Sequence, residues 1–161
     1  MKHEMRRKDR KLSDKATLEI LEKGEYGVLA SVDENNQPYG VPISYVLHDD
    51  YIYCHCAKSG HKLDNMKIND KVSFTVVGKT QPVFEEPEND FSTYFESVII
   101  FGKYLVVEDD DEKIEALKVL CEKYLPDFMD KFDISLKNAY KATYVFKISI
   151  DEISGKAKKK N

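Results

Sequence analysis

The stretch YGVLASVDENNQPYGVPISYVLHDDYIYCHC, residues 26–56, decides the fold. Tyr26 to Val32 reads as a strand, and the run Asp33-Glu34-Asn35-Asn36 closes it, because Asn and Asp tolerate the left-handed region and hydrogen-bond their own backbone. Pro38 begins a second strand through Tyr39, Val41, Ile43 and Tyr45. Pro42 has no N–H to give to a ladder, which predicts an edge position or a point where the ladder opens. His48-Asp49-Asp50 turns the chain again, and Tyr51 to Cys56 is a third strand. Strands joined by such short polar turns, with no helix between them, predict antiparallel hairpins rather than βαβ units.

The flanks extend this pattern. Upstream, Ser13-Asp14 opens a helix in which Leu18 and Leu21 share a face, with Ile20 beside them, and Gly24 is its expected C′ stop. Downstream, Ala57-Lys58-Ser59-Gly60 is a loop, His61 to Asn69 a short helix, and Lys71 to Val77 a fourth strand. Glu85 to Asp90 is acidic, contains Pro87 and reads as a surface loop. Thr93 to Val107 is a long strand, bent near Gly102. Asp109-Asp110-Asp111-Glu112 puts negative charge where a helix macrodipole favours it, and that helix carries Ile114, Leu117, Leu120 and Cys121 before Pro126. Tyr144 to Ile150 is the last strand. The expectation is a mostly β, α+β fold: a six-stranded antiparallel barrel with short packing helices. A flexible basic N-terminus, residues 1–12, precedes the domain at 13–154, and a basic disordered tail, 155–161, follows it.

Composition excludes several classes. The chain has 161 residues, enough for one sizeable core. It is 42% apolar and 34% charged, with 10 Tyr and 8 Phe, which is too apolar for disorder and too charged for a bundle of membrane helices. Its formal charge of −4 argues against a globally basic nucleic-acid surface, and no apolar run suits a spanning helix. The charged start, Met1 to Lys11, lacks the apolar core of a secretory signal, so a cytoplasmic protein is expected, with no nucleic-acid or membrane partner. Three cysteines, Cys54, Cys56 and Cys121, make no disulfide framework.

Catalytic motifs of common types are missing. There is no G-x-S-x-G elbow, no phosphate loop of the G-x-x-x-x-G-K type and no G-x-G-x-x-G. Alternation puts Cys54 and Cys56 on one strand face and His55 on the other, so the three cannot converge on one metal ion. The informative segment is YCHCAKSGHKL, residues 53–63. Lys58, Ser59, His61 and Lys62 lie in and just after a loop that opens a helix, with Gly60 allowing close backbone approach. That chemistry suits an anion, and a phosphate monoester above all.

Four pieces lie in a familiar order: YGVLASVDENNQPYGVPISYV (26–46), YIYCHCAKSGHKLDNMKINDKVSFTVV (51–77), FESVIIFGKYLVVEDDDEKIEALKVLCEKY (95–124) and VFKISIDEISGKA (145–157). Together they resemble the pyridoxamine 5′-phosphate oxidase-like FMN-binding split-barrel superfamily and, within it, the nitroimidazole-resistance (Nim) family. The resemblance implies a split barrel that dimerises with FMN at the interface. It implies that Val41, Pro42, Ile43, Ser44 and Tyr45 run along the isoalloxazine, that His55, Cys56, His61 and Lys62 hold the ribityl phosphate, and that Ser97 approaches from the other subunit. Lys62 matches the phosphate lysine, and His61 stands where the oxidases carry arginine. His55 is the candidate catalytic residue, and no metal is implied. The implied activity is that of an FMN-dependent oxidoreductase, nitroreductase-like, taking electrons from a donor such as NAD(P)H to a small acceptor such as a nitro compound. The alternative is a non-catalytic flavin- or haem-binding carrier or sensor on the same fold, with Cys54, His55 or Cys56 as an axial ligand. The oxidase's C-terminal substrate-binding Arg and His pattern has no match in the lysine-rich end of this chain.

Overall fold

A computed structural model describes residues 4–86 and 89–159 of the chain. The first helix, α1 (Asp14–Lys23), starts where Ser13 caps it, its hydroxyl accepting from the Ala16 N–H at 3.3 Å, and it buries Thr17 and Leu21. The following strands are β1 (Gly27–Val32), β2 (Pro38–Ile43), β3 (Tyr45–His48) and β4 (Tyr51–Ala57). The turn after β1 is built by Asp33, whose carboxylate accepts from the N–H groups of Asn35 (2.8 Å) and Gln37 (2.9 Å), with Asn36 at φ 62°. The turn between β3 and β4 needs two consecutive left-handed residues, which Asp49 (φ 45°) and Asp50 (φ 64°) supply.

The rest of the chain forms α2 (His61–Ile68), β5 (Lys71–Glu85), β6 (Asp90–Val106), α3 (Asp110–Tyr124), a 3-10 helix (Pro126–Lys131), α4 (Phe132–Ala139), β7 (Thr143–Ser149) and β8 (Glu152–Lys158). All strand pairings are antiparallel, in the order β2-β1-β5-β6-β7-β4-β3, with β8 on β6. The two ends of this path, β2 and β3, are neighbours in sequence with only Ser44 between them. One continuous segment therefore pairs with β1 through its first half and with β4 through its second, which curls the sheet into a split barrel. Leu29, Tyr45, Ile52, Phe74, Ile100 and Phe146 fill the core with no exposed surface. Burying each such side chain stabilises by roughly 1.5–3 kcal/mol or more. No helix among the described residues is long and apolar enough to cross a membrane.

Among the described residues the barrel has eight strands, not the expected six. The segment expected as one strand from Pro38 to Tyr45 breaks at Ser44 into β2 and β3. The closing segment bends at Ile150-Asp151 and returns as β8. Gly155 to Lys158, expected in a disordered tail, thus pair with β6, Gly155 opposite Val98 and Lys158 opposite Phe95. The N-terminal stretch is tied to β8, since the Leu12 N–H donates to the Gly155 carbonyl at 3.0 Å and Lys11 forms a β-bridge with Lys156. The β5–β6 hairpin is also longer than expected. Its ladder runs past a bulge between Val77 and Thr80 to Glu85 opposite Asp90, so that only the two end residues of the expected surface loop join the strands. Pro87 of that loop lies outside the described residues. Gly24 is not the left-handed stop it resembles, for its φ is −63°. A Cβ there would lie 2.5 Å from both the Tyr45 hydroxyl and Val76, so steric closeness requires the glycine.

Candidate functional site

The split in the barrel follows from the register. β3 pairs with β4 only as far as Tyr45 opposite Cys54, whereas β4 continues to Ala57 against β7. Among the described residues, β2 pairs with β1 and, on its other side, with no strand. Between the free edge of β2 and the end of β4 the wall stays open, and α2 lies across its base. Leu63 and Met66 plug the core there, and the Asn65 amide donates to the Ser31 hydroxyl at 3.2 Å. The His61 ring packs on Tyr39 of β2, with centroids 4.1 Å apart.

The start of α2 suits an anion. No side chain caps it, and its N-cap, Gly60, sits at φ 140° with open space where a Cβ would project. His61 is exposed and Lys62 half-buried. The Leu63 N–H already bonds the Gly60 carbonyl at 2.9 Å, and the His61 and Lys62 N–H groups, an approachable glycine and an adjacent ammonium make a donor set that suits a phosphate monoester. Lys62 is also near enough to Cys54 and Cys56 to favour their thiolates, but burial outweighs it and pushes both thiols up.

The residues expected to bind a ligand divide by face. Along β2 and the break, Pro42 and Ser44 are exposed, while Val41 and Ile43 pack partly against the core. Tyr45 is wholly buried, and its hydroxyl donates to the Leu21 carbonyl. On β4, Cys54 is in the core and Cys56 packs against it, whereas His55 projects from the opposite face. The His55 surface is open to solvent, yet the protein mass around the ring lowers its pKa and favours neutral imidazole. All three cysteines are free thiols. Ser97 is on β6 opposite Val77, away from the split of its own chain.

Two residues at the C-terminal end of α3 were not found by sequence reasoning. The Tyr124 phenol accepts from the Tyr45 N–H at 3.0 Å and lies 2.9 Å from the Tyr45 carbonyl and 2.7 Å from the Glu25 carbonyl. Tyr124 thus takes up the Tyr45 N–H at the break, where a neighbour strand would otherwise bond it. Beside it, the Lys123 ammonium lies 3.9 Å above the Tyr45 ring. No sequence signal marks either residue, since both look like the polar end of an amphipathic helix.

An antiparallel sheet curled into a barrel and split beside an uncapped helix start defines the fold class: a split barrel. The sequence profile described as pyridoxamine 5′-phosphate oxidase matches residues 13–157, and the chain belongs to that family. No curated protein matches it. Among solved structures, a protein named for 5-nitroimidazole antibiotic resistance from Bacteroides thetaiotaomicron is 22% identical, with TM-score 0.76 over 91% of this chain and 86% of that one. A flavocytochrome from Azotobacter vinelandii is 19% identical, with TM-score 0.81 over 98% and 73%. A FAD- and haem-binding protein from Mycobacterium smegmatis is 20% identical, with TM-score 0.80 over 92% and 72%. The shared fold is what these likenesses establish.

Proposed function

We propose that the protein is an FMN-binding flavoprotein, active as a dimer, that passes electrons from a reduced nicotinamide to a small acceptor such as a nitro compound. The observation that carries this reading is the split itself: a free strand edge and an uncapped helix start, with His61 and Lys62, face one opening. The names of the structural relatives support it, since they include proteins that bind flavin. His61 and Lys62 hold the phosphate, and the backbone of Val41 to Ser44 lies along the ring. Cys56 borders the phosphate end, and Ser97 belongs to the partner's side of the site. A bound flavin supplies the electron transfer itself, and the chain supplies binding, orientation and electrostatics. His55, exposed and held neutral, is the side chain placed to hold or release a proton at its imidazole nitrogens.

An absorbance spectrum of the purified protein, repeated after FMN addition and desalting, tests this. Retained flavin bands are expected. Lys62→Ala should weaken FMN binding at least about tenfold, the loss of one charge-assisted phosphate contact. Equal retention by that variant would remove Lys62 from the site, and a protein that refuses FMN would overturn the flavin reading. A second reading, haem binding, is favoured by the outward neutral imidazole of His55, a suitable axial ligand. A Soret band lost in His55→Ala would replace the first reading with it.

A further inference from the structure

Tyr45 and Cys54 form the last rung of the β3–β4 ladder before the wall opens, and behind that rung the structure places an unpaired charge. The Lys123 Nζ is shielded from solvent and is the one buried side-chain polar atom among the described residues without a hydrogen-bond partner. Its contacts are ring faces: Tyr45 at 3.9 Å and Tyr124 at 5.3 Å from the centroids. The titratable groups around it are Cys54 on β4, Tyr45 on β3 and Tyr124 on its own helix. Burial raises the pKa of all three, so none offers an anion at neutral pH. Leaving a buried charge unpaired is expensive, and aromatic faces compensate only part of the cost. The rung is one strand thick. Ser44, the exposed residue next to Tyr45 in the chain, belongs to the strip along which the proposed flavin lies.

We propose that Lys123 is a positioning charge for the flavin site: from behind the Tyr45–Cys54 rung it favours the reduced, anionic ring over the oxidised, neutral one. This inference rests on the flavin reading above and deepens it. Uptake of two electrons and one proton leaves the ring of FMN with one net negative charge, and the ammonium attracts that charge while leaving the oxidised ring nearly unaffected. At the low effective dielectric of a half-buried site, a charge one strand away changes the affinity ratio by roughly tenfold or more.

The experiment measures Kd for oxidised FMN and, under anaerobic conditions, for FMN reduced with dithionite, in the wild-type protein, Lys123→Met and Lys123→Arg. The wild type should bind reduced FMN preferentially. Lys123→Met should keep the oxidised Kd within about twofold and lose about tenfold of the preference, and Lys123→Arg should restore it. An unchanged ratio in Lys123→Met overturns the role of Lys123 and leaves the flavin site standing. If the methionine variant does not fold, Lys123→Gln with the same ratio as wild type has the same force. Failure of the wild type to bind FMN in either state is a different result, because it overturns the flavin reading and this inference with it.

Discussion

Lys123 also makes a prediction about stability that needs no ligand. Burial lowers its pKa from 10.5 to about 8. Below about pH 8 the folded and unfolded chains both hold the proton, so this group adds no pH dependence. Between about 8 and 10.5 the unfolded chain holds the proton that the folded chain has released, and stability rises with pH. Urea midpoints of the apoprotein should therefore show Lys123→Met more stable than wild type near neutral pH, with the gap closing above pH 10. A constant gap would mean that Lys123 acts by packing alone. The helix start at Gly60, His61 and Lys62 was legible because helix-start chemistry is local in sequence. Lys123 and Tyr124 were not, because their contacts lie roughly 70 to 100 residues away in the chain and neither breaks the amphipathic pattern of α3.

Strand β6 shows how element boundaries escape a sequence reading. Its middle, from Phe95 to Phe101, pairs with β8, ending with Phe101 opposite Glu152, and its last residues pair with β7 from Tyr104. Gly102 sits at the fork, where a Cβ would come 1.7 Å from the Ser149 carbonyl oxygen. Around it the Asp151 N–H donates to the Phe101 carbonyl at 3.0 Å and the Lys103 N–H to the Ser149 hydroxyl at 2.9 Å. Gly102→Ala must push these backbones apart, so a loss of about 3 kcal/mol is expected in urea unfolding, at the upper end of overpacking costs. A loss below about 1 kcal/mol would mean that the fork is not close-packed. Composition marks a bend at Gly102, but it cannot show which strands leave on either side. The break at Ser44 is the same kind of event. Pro42 signals an opened ladder, yet the pairing of one segment with β1 and then with β4 is set by barrel closure, a property of the whole sheet.

At the scale of the molecule, the outward face of the β5–β6 hairpin is more apolar than a lone subunit favours. Phe101 is 55% exposed, Val77 60%, Phe84 49% and Phe91 86%, and register places them on one side with Ile99 and Phe95. Phe84 and Phe91 pack edge-to-face, 5.2 Å apart, at the far end of the arm. A contiguous apolar strip of this kind marks an interaction surface. Ser97 lies in the middle of the strip, and we propose that a second copy docked here meets Ser97 with its split, which would tie cofactor binding to assembly. Sedimentation of the flavin-loaded protein should give twice the 18.6 kDa chain mass. Ile99→Asp combined with Phe101→Asp should give a folded monomer, because both side chains face away from the core, and that monomer should lose FMN retention by at least about tenfold. The coupling is the discriminating part. A monomeric wild type that holds flavin would show that one chain completes the site alone, and the strip would then need another occupant.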